Sequence, residues 1–99
     1  MNKPVTQHAA ASTLDRLKVG SVATVVDVAV SSSMKQQDGL NLTRRLKEIG
    51  FVKGELVRIL HRGYFGGEPI AVRIGQSTFA LRNFEAALIG ISPMELLNA

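Results

Sequence analysis

The chain has 99 residues, of which 45% are hydrophobic, and its 12 basic and 8 acidic residues give a net charge of +4. This length predicts one domain, since a single hydrophobic core serves roughly 100 to 150 residues. The absence of cysteine excludes disulfides and thiolate chemistry, and the lack of both a signal-peptide pattern and an apolar run of roughly 20 residues predicts a cytoplasmic protein.

The N-terminal third reads as a tail followed by a short turn and a strand. Residues 1–11 are polar and alanine-rich without a period, so we expect a flexible tail before a domain over residues 12–92. Ser12 and Asp15 have the spacing of a capping box, which predicts a short helical turn ended by Gly20. The valine-rich segment Val22–Val30 predicts a strand, and its apolar residues on both faces favour a central or strongly curved position.

The best-marked element is a helix in the middle of the chain. Leu42, Leu46 and Ile49 recur at i, i+4 and i+7, so they share one helical face. Asn41 precedes them as the predicted N-cap, and Gly50 follows where a left-handed residue normally ends a helix. The polar segment 31–39 before the helix is interpreted as a loop that projects into solvent.

The second half of the chain predicts three more strands joined by glycine-rich turns. They are Glu55–Arg62, Pro69–Ile74 and Thr78–Arg82, separated by the loop Gly63–Glu68 and the tight turn Gly75–Ser77. In the last two strands, the apolar residues Ile70, Val72, Ile74, Phe79 and Leu81 are expected to point inward.

The C-terminal residues predict one more turn and one more short strand. Asn83 is expected to cap a helical turn, and Ile89–Ile91 can pair at a sheet edge. Residues 93–99 are interpreted as a tail or a short helical turn with Pro93 at its first position. Short strands and brief helices in about 80 residues predict a mainly β fold, a small partly open β-barrel with short helices.

An ordered set of short motifs resembles the FeoA family, the small cytoplasmic companions of the bacterial ferrous-iron transporter FeoB. The matching residues are Thr13-Leu14, Leu17, Gly20, Ala23, Val25, Arg45–Gly54, Gly66–Ile70, Ala80–Arg82, Glu85-Ala86 and Ile89–Ile91. The resemblance implies an SH3-like barrel that acts in ferrous iron transport by docking on the cytoplasmic part of a FeoB-type transporter, so that it meets the membrane only through that partner. The same domain type resembles the C-terminal module of iron-dependent repressors, but 99 residues leave no room for their DNA-binding domain.

Two aromatic residues in the glycine-rich loop are candidate partner contacts. Tyr64 and Phe65 are flanked by Gly63, Gly66 and Gly67, and large aromatics at a hairpin tip make good interface anchors. The alternative is that both rings fold back and cover one mouth of the barrel.

The basic residues of the helix and strands are expected to point outward. They are Arg44, Arg45, Lys47, Arg58, Arg62, Arg73 and Arg82. An ordinary solvated face, an acidic protein partner and nucleic acid all fit this charge, so a small nucleic-acid-binding barrel is an alternative function. Such barrels interleave stacking aromatics, which make up only 5% of this chain, so no dedicated nucleic acid is expected. Arg45 and Arg82 are preferred as partner contacts because they match the family pattern, although Arg82 can also pair with Glu85.

The sequence contains no clear motif for metal binding or for catalysis. Ferrous iron prefers histidine and carboxylate ligands, yet His8 lies in the tail and His61 stands alone on a strand. His61 is the weak candidate for a divalent ion, Fe²⁺ or a surrogate, which leaves a metal-sensing module as a further alternative. No nucleophile or acid/base pair has credible spacing, and the glycine loop lacks the Gly-Lys-Ser/Thr ending of a phosphate site, so the chain is interpreted as no enzyme. Homo-oligomer formation through an open edge strand stays open.

Overall fold

The computed structural model describes residues 11–29 and 36–94, with side chains from residue 40 onward in the first helix. Most of the predicted tail at 1–11, the first part of the predicted loop at 31–39 and the predicted helical turn after Met94 lie outside the described residues.

The described chain forms one antiparallel sheet with two helices and one 3-10 turn. The strands are β1 Ser12–Thr13, β2 Val22–Val28, β3 Leu56–Gly63, β4 Gly67–Ile74, β5 Ser77–Leu81 and β6 Ile89–Pro93; the helices are α1 Gln36–Glu48 and α2 Asn83–Ala86, and the 3-10 turn is Leu14–Arg16. Six strands lie in the order β1-β6-β2-β3-β4-β5, and β1 does not pair with β5. The prediction of a mainly β, partly open barrel with short helices is therefore confirmed.

β2 is an inner strand of the sheet, as its two apolar faces predicted. The alternation of its inward-facing and outward-facing side chains is interrupted once along the strand. It pairs with β6 on one side and β3 on the other, and its register with β6 shifts between Val25 and Asp27. This bulge turns Val28 to the buried side with Ala23 and Val25. Strict alternation from Ala23 and Val25 would place Val28 on the opposite face, and the bulge reverses this because it adds one residue to the strand.

The hydrophobic core contains buried residues of the strands together with Leu46 of α1 and Ala86 of α2. As predicted, Ile70, Val72, Ile74 and Leu81 are buried, and Phe79 is partly buried against Phe51, with ring centroids 6.4 Å apart. The other fully enclosed large side chains are Leu14, Val25, Leu46, Val57, Ile59, Ile89 and Ile91. One core therefore joins residues from every strand except the two-residue β1.

Gly50 ends α1 in the way the sequence predicts. Its φ is +127°, and its N–H donates to the Lys47 carbonyl at 3.1 Å while the Phe51 N–H donates to the Leu46 carbonyl at 3.0 Å. This is a Schellman motif, whose apolar contact is supplied here by the buried Phe51 and Leu46. The motif turns the chain from the helix toward β3.

The start of α1 differs from the prediction. The helix begins at Gln36, so Asn41 is an internal residue and no N-cap, and the second half of the expected loop at 31–39 is helical. A single glycine such as Gly39 costs a helix only about 1 kcal/mol, which the rest of the helix and its packing offset.

The ends of three smaller elements also differ from the prediction. The 3-10 turn has Thr13 as its N-cap, and the Thr13 hydroxyl donates to the Asp15 carboxylate, so Ser12 is a strand residue and no cap. Arg82, and not Asn83, precedes α2 as the N-cap. β6 pairs with β1 and with β2 and extends to Pro93, so it is an inner strand and Pro93 does not begin a helical turn.

Candidate functional site

A surface groove brings together three of the four predicted partner residues. It has a volume of about 540 Å³ and is lined by Arg45, Phe65, Glu68, Pro69, Ala80, Leu81, Arg82 and Glu85. α1 supplies Arg45, the β3–β4 hairpin supplies Phe65, and the end of β5 supplies Leu81 and Arg82. Residues far apart in sequence thus meet where the hairpin tip lies beside the end of β5.

The hairpin tip presents its two aromatic side chains to solvent. Tyr64 is 95% exposed and Phe65 is 85% exposed. The Glu68 N–H donates to the Phe65 carbonyl at 3.2 Å, and Gly66 and Gly67 adopt positive φ of 66° and 83°, so a tight turn holds the aromatics outside the barrel. The alternative that both rings cover a barrel mouth is wrong. Phe65 lines the groove, whereas Tyr64 lies outside it.

Gly63 fixes where this tip leaves the sheet. A Cβ on Gly63 would overlap the carbonyl oxygen of Glu68 and lie 2.9 Å from the Pro69 Cδ. Only glycine allows β3 and β4 to approach this closely at the base of the tip.

The two acidic residues of the groove are engaged by the backbone at the start of α2. The Glu85 carboxylate accepts the Arg82 N–H at 2.8 Å, and the Glu68 carboxylate accepts the Asn83 N–H at 2.5 Å. The Asn83 side-chain amide also donates to the Gly66 carbonyl at 3.2 Å. Glu85 therefore meets the backbone of Arg82, and α2 is tied to the hairpin through Glu68 and Asn83.

The arginines of the groove keep their charge available. Arg45 and Arg82 are exposed, and neither guanidinium has a hydrogen bond or ion pair with any residue the structure describes. Both carboxylates accept backbone N–H groups, while the two guanidinium groups have no described partner, so the groove offers two guanidinium donors beside an exposed aromatic ring.

Three other arginines have different surroundings: Arg62 makes hydrogen bonds within the fold, whereas Arg58 and Arg73 form an exposed pair. Arg62 donates to the backbone carbonyls of Asp15 at 2.6 Å and Leu17 at 2.8 Å, so it joins β3 to the 3-10 turn and does not belong to a free basic face. Arg58 and Arg73 lie directly opposite each other on β3 and β4, outside the groove, and both are exposed.

The surroundings of His61 do not form a resident metal site. His61 is exposed on β3 opposite Ala71, between Leu60 and Arg62. Among the described side chains, those of residues 11–29 and 40–94, no three His, Cys, Asp or Glu come together in a way that could hold a metal ion. His8 lies outside the described residues.

Sequence reasoning missed the contact between Glu68, which lines the groove, and Asn83 at the start of α2. They are 15 residues apart, and no short motif connects them. The predicted pairing of the Arg82 side chain with Glu85 is not observed: the Glu85 carboxylate accepts the Arg82 backbone N–H, as an acidic residue in the first turn of a helix commonly does. None of the described helices has the length and apolarity needed to cross a membrane.

Comparisons with known proteins agree with this architecture. FeoA from Stenotrophomonas maltophilia, crystallised with zinc, is 39% identical over 83% of this chain and 91% of that chain, with a TM-score of 0.69. FeoA from Chlorobium tepidum is 29% identical over 84% of this chain and 70% of that chain, with a TM-score of 0.67. A manganese-dependent transcriptional repressor, 24% identical over 92% of this chain and 39% of its own, shares the fold with a TM-score of 0.68.

The family assignment rests on the sequence as well as on the fold. No curated protein sequence matches the chain. The family model described as the FeoA domain matches residues 12–93, which include every described strand and helix. The chain therefore belongs to the FeoA family of small SH3-like proteins associated with ferrous iron transport.

Proposed function

We propose that the protein is a non-enzymatic, cytoplasmic accessory module of ferrous iron transport that docks on the cytoplasmic part of a FeoB-type transporter. The docking surface consists of Arg45, Tyr64, Phe65 and Arg82. The observation that carries the proposal is the exposed aromatic pair, at 95% and 85%, beside a groove whose two guanidinium groups have no partner among the described residues. The S. maltophilia relative is described as a candidate activating factor for bacterial ferrous iron transport, which supports the same role here.

The aromatic pair supplies the largest apolar surface of the docking surface. A Phe or Tyr side chain buries about 150 to 250 Å² when it becomes fully covered, and such residues dominate interface energetics. Here the rings stand on a hairpin tip whose turn is fixed by backbone hydrogen bonding and by the close approach at Gly63. A tip that is ordered before binding loses little conformational freedom in the complex.

The two arginines add orientation to this apolar contact. A guanidinium donates to carboxylates in a bidentate geometry, and positive charge raises the rate of encounter with an acidic surface. Arg45 comes from α1 and Arg82 follows β5, so the two guanidinium groups reach the groove from different elements of the fold.

Co-purification tests the docking surface. Tyr64→Ala and Phe65→Ala are each expected to weaken retention of the transporter's cytoplasmic portion by about tenfold or more, because hot-spot aromatics typically contribute at least 2 kcal/mol. Leu56→Ala is the matched control, since Leu56 is 50% exposed on β3 outside the groove. Equal retention by all three variants would refute the assignment of the surface.

Uptake in cells tests the role itself. Deleting the chain is expected to change the rate of ferrous iron uptake under iron limitation, and complementation with the natural chain is expected to restore it. Unchanged uptake after deletion would overturn the proposed function.

A further inference from the structure

The strand β5 is an open edge of the sheet. β5 is the last strand in the sheet order, and it pairs only with β4. Edge strands normally carry a charge, a proline or a bulge that prevents pairing with another chain. Ser77, Thr78, Phe79, Ala80 and Leu81 include no charged residue and no proline, and their register with β4 is unbroken. The opposite edge, β1, is protected by its length of two residues.

The register of the hairpin identifies which backbone groups face outward. Gly75 and Gln76 form a two-residue turn, and residues flanking such a turn exchange their hydrogen bonds. Ser77, Phe79 and Leu81 therefore bond to β4, while the N–H and C=O groups of Thr78 and Ala80 point away from the sheet. Both residues are exposed, and no hydrogen bond from their backbone groups to a described residue outside the sheet is present.

The core holds this edge in place. Phe79 packs against Phe51, and Leu81 is buried. Beyond Leu81 the edge closes, since the Arg82 N–H is bonded to Glu85 and the Arg82 carbonyl accepts the N–H groups of Glu85 and Ala86. The outward groups are thus confined to a rigid stretch of three residues.

The groove lies directly beside this edge, which indicates what occupies it. Ala80 and Leu81 belong to β5 and also line the groove, together with Arg45, Phe65 and Arg82. Arg73, opposite Thr78 on β4, adds a third exposed positive charge near the edge. An extended segment paired with Thr78 and Ala80 would place its side chains among arginines and an aromatic ring.

We propose that β5 receives an extended acidic segment of the partner as a seventh strand, whose carboxylate and apolar side chains contact Arg45, Arg82 and Phe65 in the groove. This inference rests on the proposed function, because its partner is the cytoplasmic part of the transporter. Backbone pairing supplies affinity in such strand addition, and side-chain contacts supply specificity. A second copy of this chain is the less favoured occupant, because each copy carries a net charge of +4 with three arginines near the edge.

Amide hydrogen exchange, followed by NMR, tests the pairing without any substitution. The chain is measured alone and with a saturating amount of the purified cytoplasmic portion of the transporter. The Thr78 and Ala80 amides are expected to exchange at least about tenfold more slowly in the complex. The Phe79 amide is the internal control, since its bond to β4 protects it in both states.

Two pairs of variants test the two halves of the inference. Ala80→Pro removes an outward N–H and leaves the β4–β5 ladder intact, so it is expected to weaken binding about tenfold, whereas Ala80→Ser keeps the N–H and binds as the natural chain does. The double variant Arg45→Glu with Arg82→Glu is expected to weaken binding more than tenfold, while Lys53→Glu with Arg58→Glu, which changes the net charge equally at two exposed residues outside the groove, has a smaller effect. Thermal unfolding of each variant checks its folding.

The outcomes separate this inference from the function it rests on. If the natural chain does not bind the transporter portion, the docking proposal and this inference both fail. If it binds while the Thr78 and Ala80 amides exchange as before, docking stands and strand addition is refuted. Protection of these amides in the chain alone, together with a dimer in sedimentation, would assign the edge to a second copy and overturn the inference. Equal loss of binding in the two charge-reversal variants would refute an acidic segment in the groove.

Discussion

Thr43 is expected to be a position where an apolar substitution stabilises the protein. Its side chain is only 8% exposed on the inner side of α1, and its hydroxyl is buried without a hydrogen-bond partner among the described residues. Leaving a buried polar group unpaired costs about 1 to 3 kcal/mol. Valine has the same shape and a similar helix propensity, so Thr43→Val removes this cost without creating a cavity. We expect the free energy of unfolding to rise by about 1 kcal/mol, which raises the Tm of a domain of this size by about 4 to 8 °C.

Urea unfolding followed by circular dichroism measures this change. Thr43→Ser is the matched control, because it keeps the hydroxyl and removes a buried methyl group, and it is expected to lose about 1 kcal/mol. The two variants should therefore shift the unfolding midpoint in opposite directions. If Thr43→Val is less stable than the natural chain, the hydroxyl contributes a hydrogen bond in solution and the reasoning is wrong.

The other predictions concern the base of the hairpin and the contact between β3 and the 3-10 turn. Gly63→Ala is expected to cost about 2 kcal/mol or more, since its Cβ overlaps the Glu68 carbonyl, and to make the Phe65 region more mobile in NMR relaxation. Gly54→Ala meets no atom within 4 Å and is strained only by its φ of +94°, so we expect about 1 kcal/mol; a larger loss than in Gly63→Ala would contradict the steric argument. Arg62→Met should lose about 2 kcal/mol in urea unfolding because two carbonyls lose a charged donor, whereas the exposed Arg58→Met should change little; equal midpoints would show that the Arg62 hydrogen bonds contribute nothing.

Alternation and glycine spacing predicted most of the strands because burial on one face imposes a period of two. This held for β4 and β5, where Ile70, Val72, Ile74 and Leu81 are buried as expected. It failed in β2, where a bulge inserts one residue and reverses the following side chains. Nothing in the local pattern marks that bulge, since valine fits either face.

The end of α1 was predictable and its start was not. Gly50 is required by a positive φ at the C-terminus, which is a local demand on one residue. The first turns contain Gln36, Gln37, Asp38 and Gly39, which favour a loop by composition, and only the continuation of the helix from Leu40 onward makes them helical.

The sequence indicated single residues of the groove but did not indicate that they lie close together. Arg45, Phe65 and Arg82 were each identified from exposure, loop position or family resemblance, but nothing in the sequence showed that they share one groove. Their meeting depends on the Glu68 carboxylate reaching the Asn83 N–H, a tertiary contact across 15 residues.

The position of β6 between β1 and β2 determines the order in which the sheet can assemble on the ribosome. The hairpins β3–β4 and β4–β5 join neighbouring segments and can pair as soon as they are made, but Ser12 must wait for Ile91. Until β6 emerges, β1 and one side of β2 have no strand partner, and Leu14 and Val25 lack the Ile89 and Ile91 side chains that complete their core. We therefore expect the sheet to close late, through contacts of large sequence separation that slow folding. A nascent chain that stops short of residue 89 would expose two unpaired strand edges in addition to β5.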